Sequence, residues 1–233
     1  MKKRLTRFLP FLLAFTIALP SYSVFAEEEN QAKETQTNET NKTQADETTA
    51  NDTLSLAAET AVLIDAASGE ILYDKDADKK MYPASITKLM TILLALENGK
   101  LTDEITFSHD AVYNIEPGSA HIAILEGETL TLEQVLRAII LRSANEASNG
   151  VAEYVDGSVE AFAKHMTERA KELGCTNTNF VNANGLFDEN HYTTAHDMAL
   201  IARELLKHEE YRSMMSETDY EIPPTNLQTE TRY

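Results

Sequence analysis

The sequence predicts an α+β domain over residues 54–233, in which one antiparallel hairpin is followed mainly by helices. Two β-prone segments, 61–65 and 70–73, lie on either side of an Ala-Ser-Gly turn, a pattern typical of a hairpin. Four later segments carry the apolar spacing and the end signals of helices. The region has about 180 residues, a length that suits one folded domain.

The four predicted helices follow the hairpin in chain order. The first is strongly apolar and lies within residues 83–100, with Pro83 near its start and Gly99 after its end. A polar, Asn-rich loop at 176–194 separates the third helix from the fourth. The last three helices open on candidate N-caps, which are Thr131 with Gln134, Ser158, and Thr194 with Asp197.

The first 26 residues read as a secretory signal peptide and are excluded from the fold. Basic residues at positions 2, 3, 4 and 7 precede an apolar stretch at 8–19, and Val24-Phe25-Ala26 favours cleavage after Ala26. The alternative is an uncleaved membrane anchor, but spanning a bilayer takes about 20 apolar residues. The mature protein is therefore expected outside the cytoplasmic membrane.

Residues 27–53 are predicted to form a disordered acidic linker, because they are almost without apolar side chains. The whole chain has a formal net charge of −18, which argues against nucleic-acid binding through Lys and Arg. Cys175 is the one cysteine, so no internal disulfide is possible, and an inert buried thiol is favoured over a catalytic one.

Ser85 and Lys88 form the first candidate site. They are three residues apart at the start of the apolar helix, so both side chains are expected on one face. A lysine that is partly desolvated there would have a lowered pKa, and its amine could activate the serine hydroxyl. The alternative is a lysine that reaches out from a core helix to solvent. About one Ser-x-x-Lys is expected by chance in a chain of this length.

Ser143 and Asn145 form a second candidate site between two predicted helices. A short interhelical loop can direct a hydroxyl for proton relay and an amide for a substrate carbonyl into one cleft. The alternative is that Ser143 caps the next helix and Asn145 bonds to loop backbone. His196 and Asp197 as partners of Ser85 are disfavoured, because they lie at a helix start where capping is expected.

These segments together resemble the serine D-alanyl-D-alanine carboxypeptidases, the low-molecular-weight penicillin-binding proteins of peptidase family S11. The resemblance spans about residues 57–230, and Ser-x-x-Lys followed by Ser-x-Asn is a pair typical of penicillin-binding proteins. It implies a β-lactamase/transpeptidase-like fold, an antiparallel sheet with a helical domain. Its anchors are the blocks AAETAVLIDAASGEILYDKDADKKMYPASITKLM, LTLEQVLRAIILRSANEASNGVAEYV, KELGCTNTNFVNANGL and HYTTAHDMALIARELL.

The resemblance also implies roles for individual residues. Ser85 would be the nucleophile that forms an acyl-enzyme, and Lys88 its proton acceptor. Ser143 would assist proton transfer, and Asn145 would hold the peptide. The implied substrate is a peptidoglycan stem peptide ending in D-Ala-D-Ala, and β-lactam antibiotics would acylate the same serine. No metal and no organic cofactor is implied, and membrane association is not supported by this chain.

Two departures from the family pattern leave alternatives open. Ala144 stands where class A β-lactamases have Asp, and the third family motif, K-T-G or H-T-G on a strand, is absent from these 233 residues. The chain is therefore expected to be incomplete at the C-terminus, holding roughly the first two thirds of a catalytic domain. One alternative is an inactive fragment or a peptidoglycan-binding pseudoenzyme. The other is a serine β-lactamase, for which Asp188 and Glu189 offer candidate deacylating carboxylates.

Overall fold

The computed structural model describes residues 55–232, and its first element is the predicted hairpin. Strand β1 (Ala61–Ile64) pairs antiparallel with β2 (Ile71–Lys75), with Leu63 opposite Tyr73 and a register shift between Leu63 and Ile64. Asp65 shapes the turn, because its Oδ1 accepts hydrogen bonds from the backbone N–H groups of residues 67 and 68. The predicted signal peptide and acidic linker, residues 1–53, lie outside the described residues.

Seven α-helices follow within the described range. A 3₁₀ turn, Ala84–Thr87, runs directly into the first of them. The helices are α1 (Lys88–Asn98), α2 (His109–Tyr113), α3 (Leu132–Arg142), α4 (Asn145–Asp156), α5 (Val159–Glu172), α6 (Ala195–Leu205) and α7 (Glu209–Met214). The four predicted helices correspond to α1, α3, α5 and α6, and the α+β class is confirmed.

The predicted N-caps have the expected geometry, with one difference. Thr131 and Gln134 form both halves of a capping box at α3, and the Ser158 side chain accepts from the backbone N–H of residue 161. Thr194 accepts from the backbone N–H of Asp197, but the Asp197 carboxylate does not return the bond. That carboxylate instead accepts from the backbone N–H groups of residues 176 and 177 and from the hydroxyl of Thr178, so it anchors the preceding loop.

A second two-stranded sheet was not predicted. Strand β3 (Glu104–Thr106) pairs antiparallel with β4 (Thr129–Thr131), and 22 residues that include α2 separate the two strands. Each strand has three residues, too few to show the alternation that identifies a strand in sequence. Strand β4 ends at Thr131, the N-cap of α3, so the sheet holds the residue at which that helix begins.

Helix α1 lies at the centre of the apolar core. It packs against α3, α4, α5 and α6, and Met90, Leu93 and Leu94 are fully buried. Burying each of these side chains contributes about 2 kcal/mol to folding. Cys175 is buried as well, and burial raises the pKa of its thiol to about 12, so the thiol is protonated and inert at neutral pH. No helix within residues 55–232 has the length and hydropathy needed to cross a membrane.

Candidate active site

The candidate nucleophile Ser85 lies in the 3₁₀ turn that precedes α1, and its side chain is exposed. The sequence predicted one continuous helix from Pro83, whereas the structure begins it with this tighter turn. In a 3₁₀ turn, side chains at positions i and i+3 eclipse each other. Ser85 and Lys88 therefore stand one above the other, with Lys88 Nζ 3.1 Å from Ser85 Oγ.

Lys88 is the first residue of α1 and is only 4% exposed, which contradicts the alternative of a lysine reaching out to solvent. Besides Ser85 Oγ, its Nζ contacts two buried oxygens. These are Asn145 Oδ1 at 2.8 Å and the backbone carbonyl oxygen of Asn184 at 2.6 Å. Burial lowers the Lys88 pKa to about 8, and the nearby Glu146 carboxylate opposes part of this shift.

This arrangement can generate a free amine directed at a hydroxyl. Asn145 and Asn184 each accept one N–H of Lys88, which leaves the third position of the amine facing Ser85. When the amine is neutral, that position holds its lone pair. The lone pair can then accept the Ser85 hydroxyl proton, the requirement for activating a serine at neutral pH.

Asn145 begins α4 and is 4% exposed. Because the Lys88 ammonium can only donate, the amide oxygen of Asn145 must face it and the amide NH₂ must face away. Within residues 55–232 that NH₂ group makes no hydrogen bond, so it is available to a ligand carbonyl. The alternative that Asn145 serves loop backbone is wrong for its side chain.

Ser143 lies one residue before the α4 N-cap and is half-buried. It is the C-cap of α3 in a left-handed conformation, with φ 54° and ψ 34°. The alternative that it caps α4 is wrong, because Ala144 holds that position without a side-chain cap. The Ser143 hydroxyl is not among the three partners of Lys88, and no partner for it lies within the described part of the chain.

Asn184 and Gly185 were not predicted as part of the site, although Asp188 and Glu189 of the same loop were considered. The contribution of Asn184 is a backbone carbonyl, which no side-chain pattern reveals. Gly185 has φ +83°, and a Cβ there would lie 1.9 Å from the carbonyl oxygen of Ala84. Ala84 itself has a positive φ of 48° directly before the nucleophile. An Asn-x-Asn-Gly sequence in a polar loop is the one signal that could have indicated such a close approach.

The other candidate partners lie elsewhere. His196 Nδ1 bonds to Asp78, and the Asp197 carboxylate anchors the 176–178 loop, so neither contacts Ser85. Asp188 Oδ1 accepts from the backbone N–H of Asn190 within its own turn. None of these contacts supports a triad or a deacylating role for Asp188, and Glu189 is exposed in the same loop.

The comparisons with known proteins identify the family and the fold of this chain. An exposed serine in contact with a buried lysine is an arrangement that can support nucleophilic catalysis. Residues 43–232 match the model of peptidase family S11, described as D-alanyl-D-alanine carboxypeptidase, and the chain belongs to this family.

Two curated relatives show how much of a family member's length this chain matches. It is 43% identical over 161 residues to the D-alanyl-D-alanine carboxypeptidase DacF of Bacillus subtilis, a match that covers 67% of this chain and 41% of the relative. The carboxypeptidase DacC of Escherichia coli is 37% identical over 160 residues, with 65% and 40% covered. The chain therefore spans about two fifths of the length of these relatives.

A solved structure supports the fold. Penicillin binding protein 5 from Haemophilus influenzae has 32% sequence identity and a TM-score of 0.68, covering 72% of this chain and 51% of that one. This likeness confirms the predicted β-lactamase/transpeptidase-like fold class.

Proposed function

We propose that the chain carries the nucleophile-bearing part of a serine-type D-Ala-D-Ala carboxypeptidase, which removes the terminal D-alanine from peptidoglycan stem peptides. The observation that carries this proposal is the contact between Lys88 Nζ and Ser85 Oγ at 3.1 Å, with the lysine buried and the serine exposed. Family membership and the relatives named above support the substrate class.

The first half of the reaction forms an acyl-enzyme. The neutral Lys88 amine accepts the Ser85 hydroxyl proton while Oγ attacks the carbonyl carbon of the penultimate D-Ala. The oxyanion that forms lies near the Ser85 backbone N–H, a first-turn donor without an intrahelical acceptor. The Asn145 amide NH₂ holds the peptide. The C–N bond then breaks, the leaving amine takes the proton from Lys88 with the help of the Ser143 hydroxyl, and D-alanine departs.

The second half releases the shortened peptide. A water molecule gives a proton to the Lys88 amine and attacks the ester carbonyl carbon. The ester C–O bond breaks, Ser85 Oγ recovers its proton, and the peptide leaves with a carboxylate end. No step requires a metal or an organic cofactor. A β-lactam would open on Ser85 in the same way, because its strained amide presents the same kind of carbonyl.

The proposal extends to organisation and location. Residues 1–26 act as a signal peptide, residues 27–53 as an acidic tether, and residues 54–233 as the N-terminal part of a catalytic domain. The mature protein acts on the cell wall, at the outer face of the cytoplasmic membrane or beyond it. A chain of this acidity is not suited to nucleic acid.

The test uses the full chain and a fluorescent penicillin. The expected result is one covalent adduct, found by intact mass and located on Ser85 by peptide mapping. Ser85→Ala should abolish it and Lys88→Met should slow it strongly, whereas Ser213→Ala, an exposed helical serine, should leave it unchanged.

A second assay measures D-alanine released from a peptide ending in D-Ala-D-Ala. Binding of that peptide without any adduct or release would contradict the proposal and favour a pseudoenzyme. Rapid turnover of penicillin would favour a β-lactamase.

A further inference from the structure

A buried histidine connects the nucleophile turn to the Asn-rich loop. His191 is 2% exposed, and its Nε2 lies 2.8 Å from the hydroxyl oxygen of Thr87, two residues after Ser85. Its Nδ1 lies 3.1 Å from the backbone nitrogen of Val181, and its ring packs edge-on against Phe180 at 5.5 Å. The histidine is neither a metal ligand nor a triad member, so the proposed reaction gives it no task.

The hydrogen bonds fix which ring nitrogen carries the proton. The Val181 N–H can only donate, so His191 Nδ1 must be the acceptor. In a neutral ring the proton then lies on Nε2, which donates to Thr87 Oγ1. The ring is neutral because burial lowers the His191 pKa to about 4, although Asp188 opposes this shift.

The element that His191 contacts is under conformational strain. Ala84 has φ 48°, an uncommon value for a residue with a Cβ, and its carbonyl oxygen lies against Gly185 of the loop. Thr91, one turn further along α1, bonds to the carbonyl oxygen of Ala183 at 2.6 Å. The loop therefore contacts the turn and the start of α1 at four points, which are Ala84, Thr87, Lys88 and Thr91. Of these four contacts, the His191–Thr87 bond is the one between two side chains.

We infer that His191 is a positioning residue for Ser85 acylation: its Nε2–H holds Thr87, and through Thr87 it holds the turn that aligns Ser85 with Lys88. This inference rests on the proposed function. His191 bonds to Thr87 and Val181 and to neither Ser85 nor Lys88. Since a displacement of about 1 Å at the reacting groups can cost on the order of 100-fold in rate, losing this bond should slow acylation while the fold persists.

Two substitutions separate positioning from a merely structural role. In His191→Gln the amide nitrogen is three bonds from Cβ, as Nε2 is, so it can still donate to Thr87. In His191→Asn the amide oxygen is two bonds from Cβ, as Nδ1 is, so it can still accept from Val181 but cannot reach Thr87. Positioning predicts that Gln keeps the acylation rate within about threefold, whereas Asn loses about 10-fold to 100-fold.

Thr87→Val tests the same bond from its other end, with almost no change in shape. It should slow acylation as much as His191→Asn does, and Thr87→Ser, which keeps the hydroxyl, should recover most of the rate. His196→Gln serves as the surface control, because that histidine bonds to Asp78 away from the site. The full chain is labelled with a fluorescent penicillin, and melting temperatures are measured in parallel.

The outcomes overturn or support the inference separately from the proposed function. Equal rates for Gln and Asn, or a normal rate for Thr87→Val, would overturn it; if both His191 variants fail to fold, the Thr87 pair decides. If the wild-type chain is not acylated, the proposed function fails. In that case nitrogen-15 NMR of His191 still decides, since a proton on Nδ1 rather than Nε2 would refute the bond to Thr87.

Discussion

The pH dependence of Ser85 acylation tests the central feature of the site, the buried Lys88 amine. A lysine with a pKa of about 8 is about 9% free amine at pH 7, whereas one with the ordinary value near 10.5 is about 0.03% free amine. Burial therefore raises the concentration of the activating base about 300-fold at neutral pH. If Lys88 accepts the Ser85 proton, the acylation rate must follow this fraction.

The expected profile rises and then levels off. Between pH 6 and pH 8 the second-order rate constant for labelling by a fluorescent penicillin should increase about 50-fold, and between pH 8 and pH 9.5 only about twofold. Rapid-quench labelling of the full chain, followed by gel fluorescence, measures this rate. A flat profile, or a rise that continues to pH 10.5, would refute the assignment of Lys88 as the base.

Glu146 provides the matched perturbation. Its carboxylate raises the Lys88 pKa against the effect of burial, because a nearby negative charge favours the ammonium form. Glu146→Gln should therefore move the inflection to lower pH without removing it. A shift to higher pH would contradict the electrostatic account. The Lys88 Cε chemical shift, followed by carbon-13 NMR, reports the same pKa in the absence of any acylation.

The remaining predictions concern stability. Gly185→Ala should destabilise the fold by about 2–4 kcal/mol and abolish acylation, because it combines a positive φ with a Cβ 1.9 Å from the Ala84 carbonyl oxygen; a native-like melting temperature would contradict this. Gly150→Ala should cost about 1–3 kcal/mol through a 2.2 Å clash with the buried Phe107 ring, yet leave the acylation rate of the folded protein unchanged. The pKa of His191 is about 6.5 in the unfolded chain and about 4 in the folded chain, so between these values the unfolded chain binds a proton that the folded chain does not. The free energy of unfolding should therefore fall by about 2 kcal/mol from pH 7 to pH 5. Chemical denaturation at both pH values measures this loss, which should be absent in His191→Gln.

The helices could be predicted because their signals are local. Thr131 with Gln134 and the Ser158 cap lie within four residues of the groups they bond, so the sequence alone carries the information. The β3–β4 sheet has no such signal, since two three-residue strands are identified only by pairing with each other. Asp197 shows where local sequence patterns stop being sufficient. Its pattern with Thr194 predicts a capping box, but its carboxylate bonds to a loop about 20 positions away.

The candidate site divides in the same way. The spacing of Ser85 and Lys88 predicts their contact, because three residues in one turn place both side chains on the same face. Asn145 lies 57 positions from Lys88 in the sequence. No local pattern predicts their contact, and it was the family resemblance that indicated that the two residues belong to one site. The carbonyl of Asn184 and the His191–Thr87 bond depend on how a polar loop folds back onto α1, which no periodicity encodes.

The 3₁₀ turn resolves two opposing demands on this site. A nucleophile must be exposed to meet a substrate, whereas its lysine base must be buried to have a low pKa. In the first turn of an α-helix, side chains three residues apart are offset by about 60° around the helix axis. In a 3₁₀ turn the same two side chains point in the same direction, one above the other along the axis. Ser85 can thus face solvent directly above Lys88, which enters the core at the first residue of α1. If Ser85 and Lys88 react as proposed, the loop that contacts this turn through Gly185 and His191 holds the geometry on which their reaction depends.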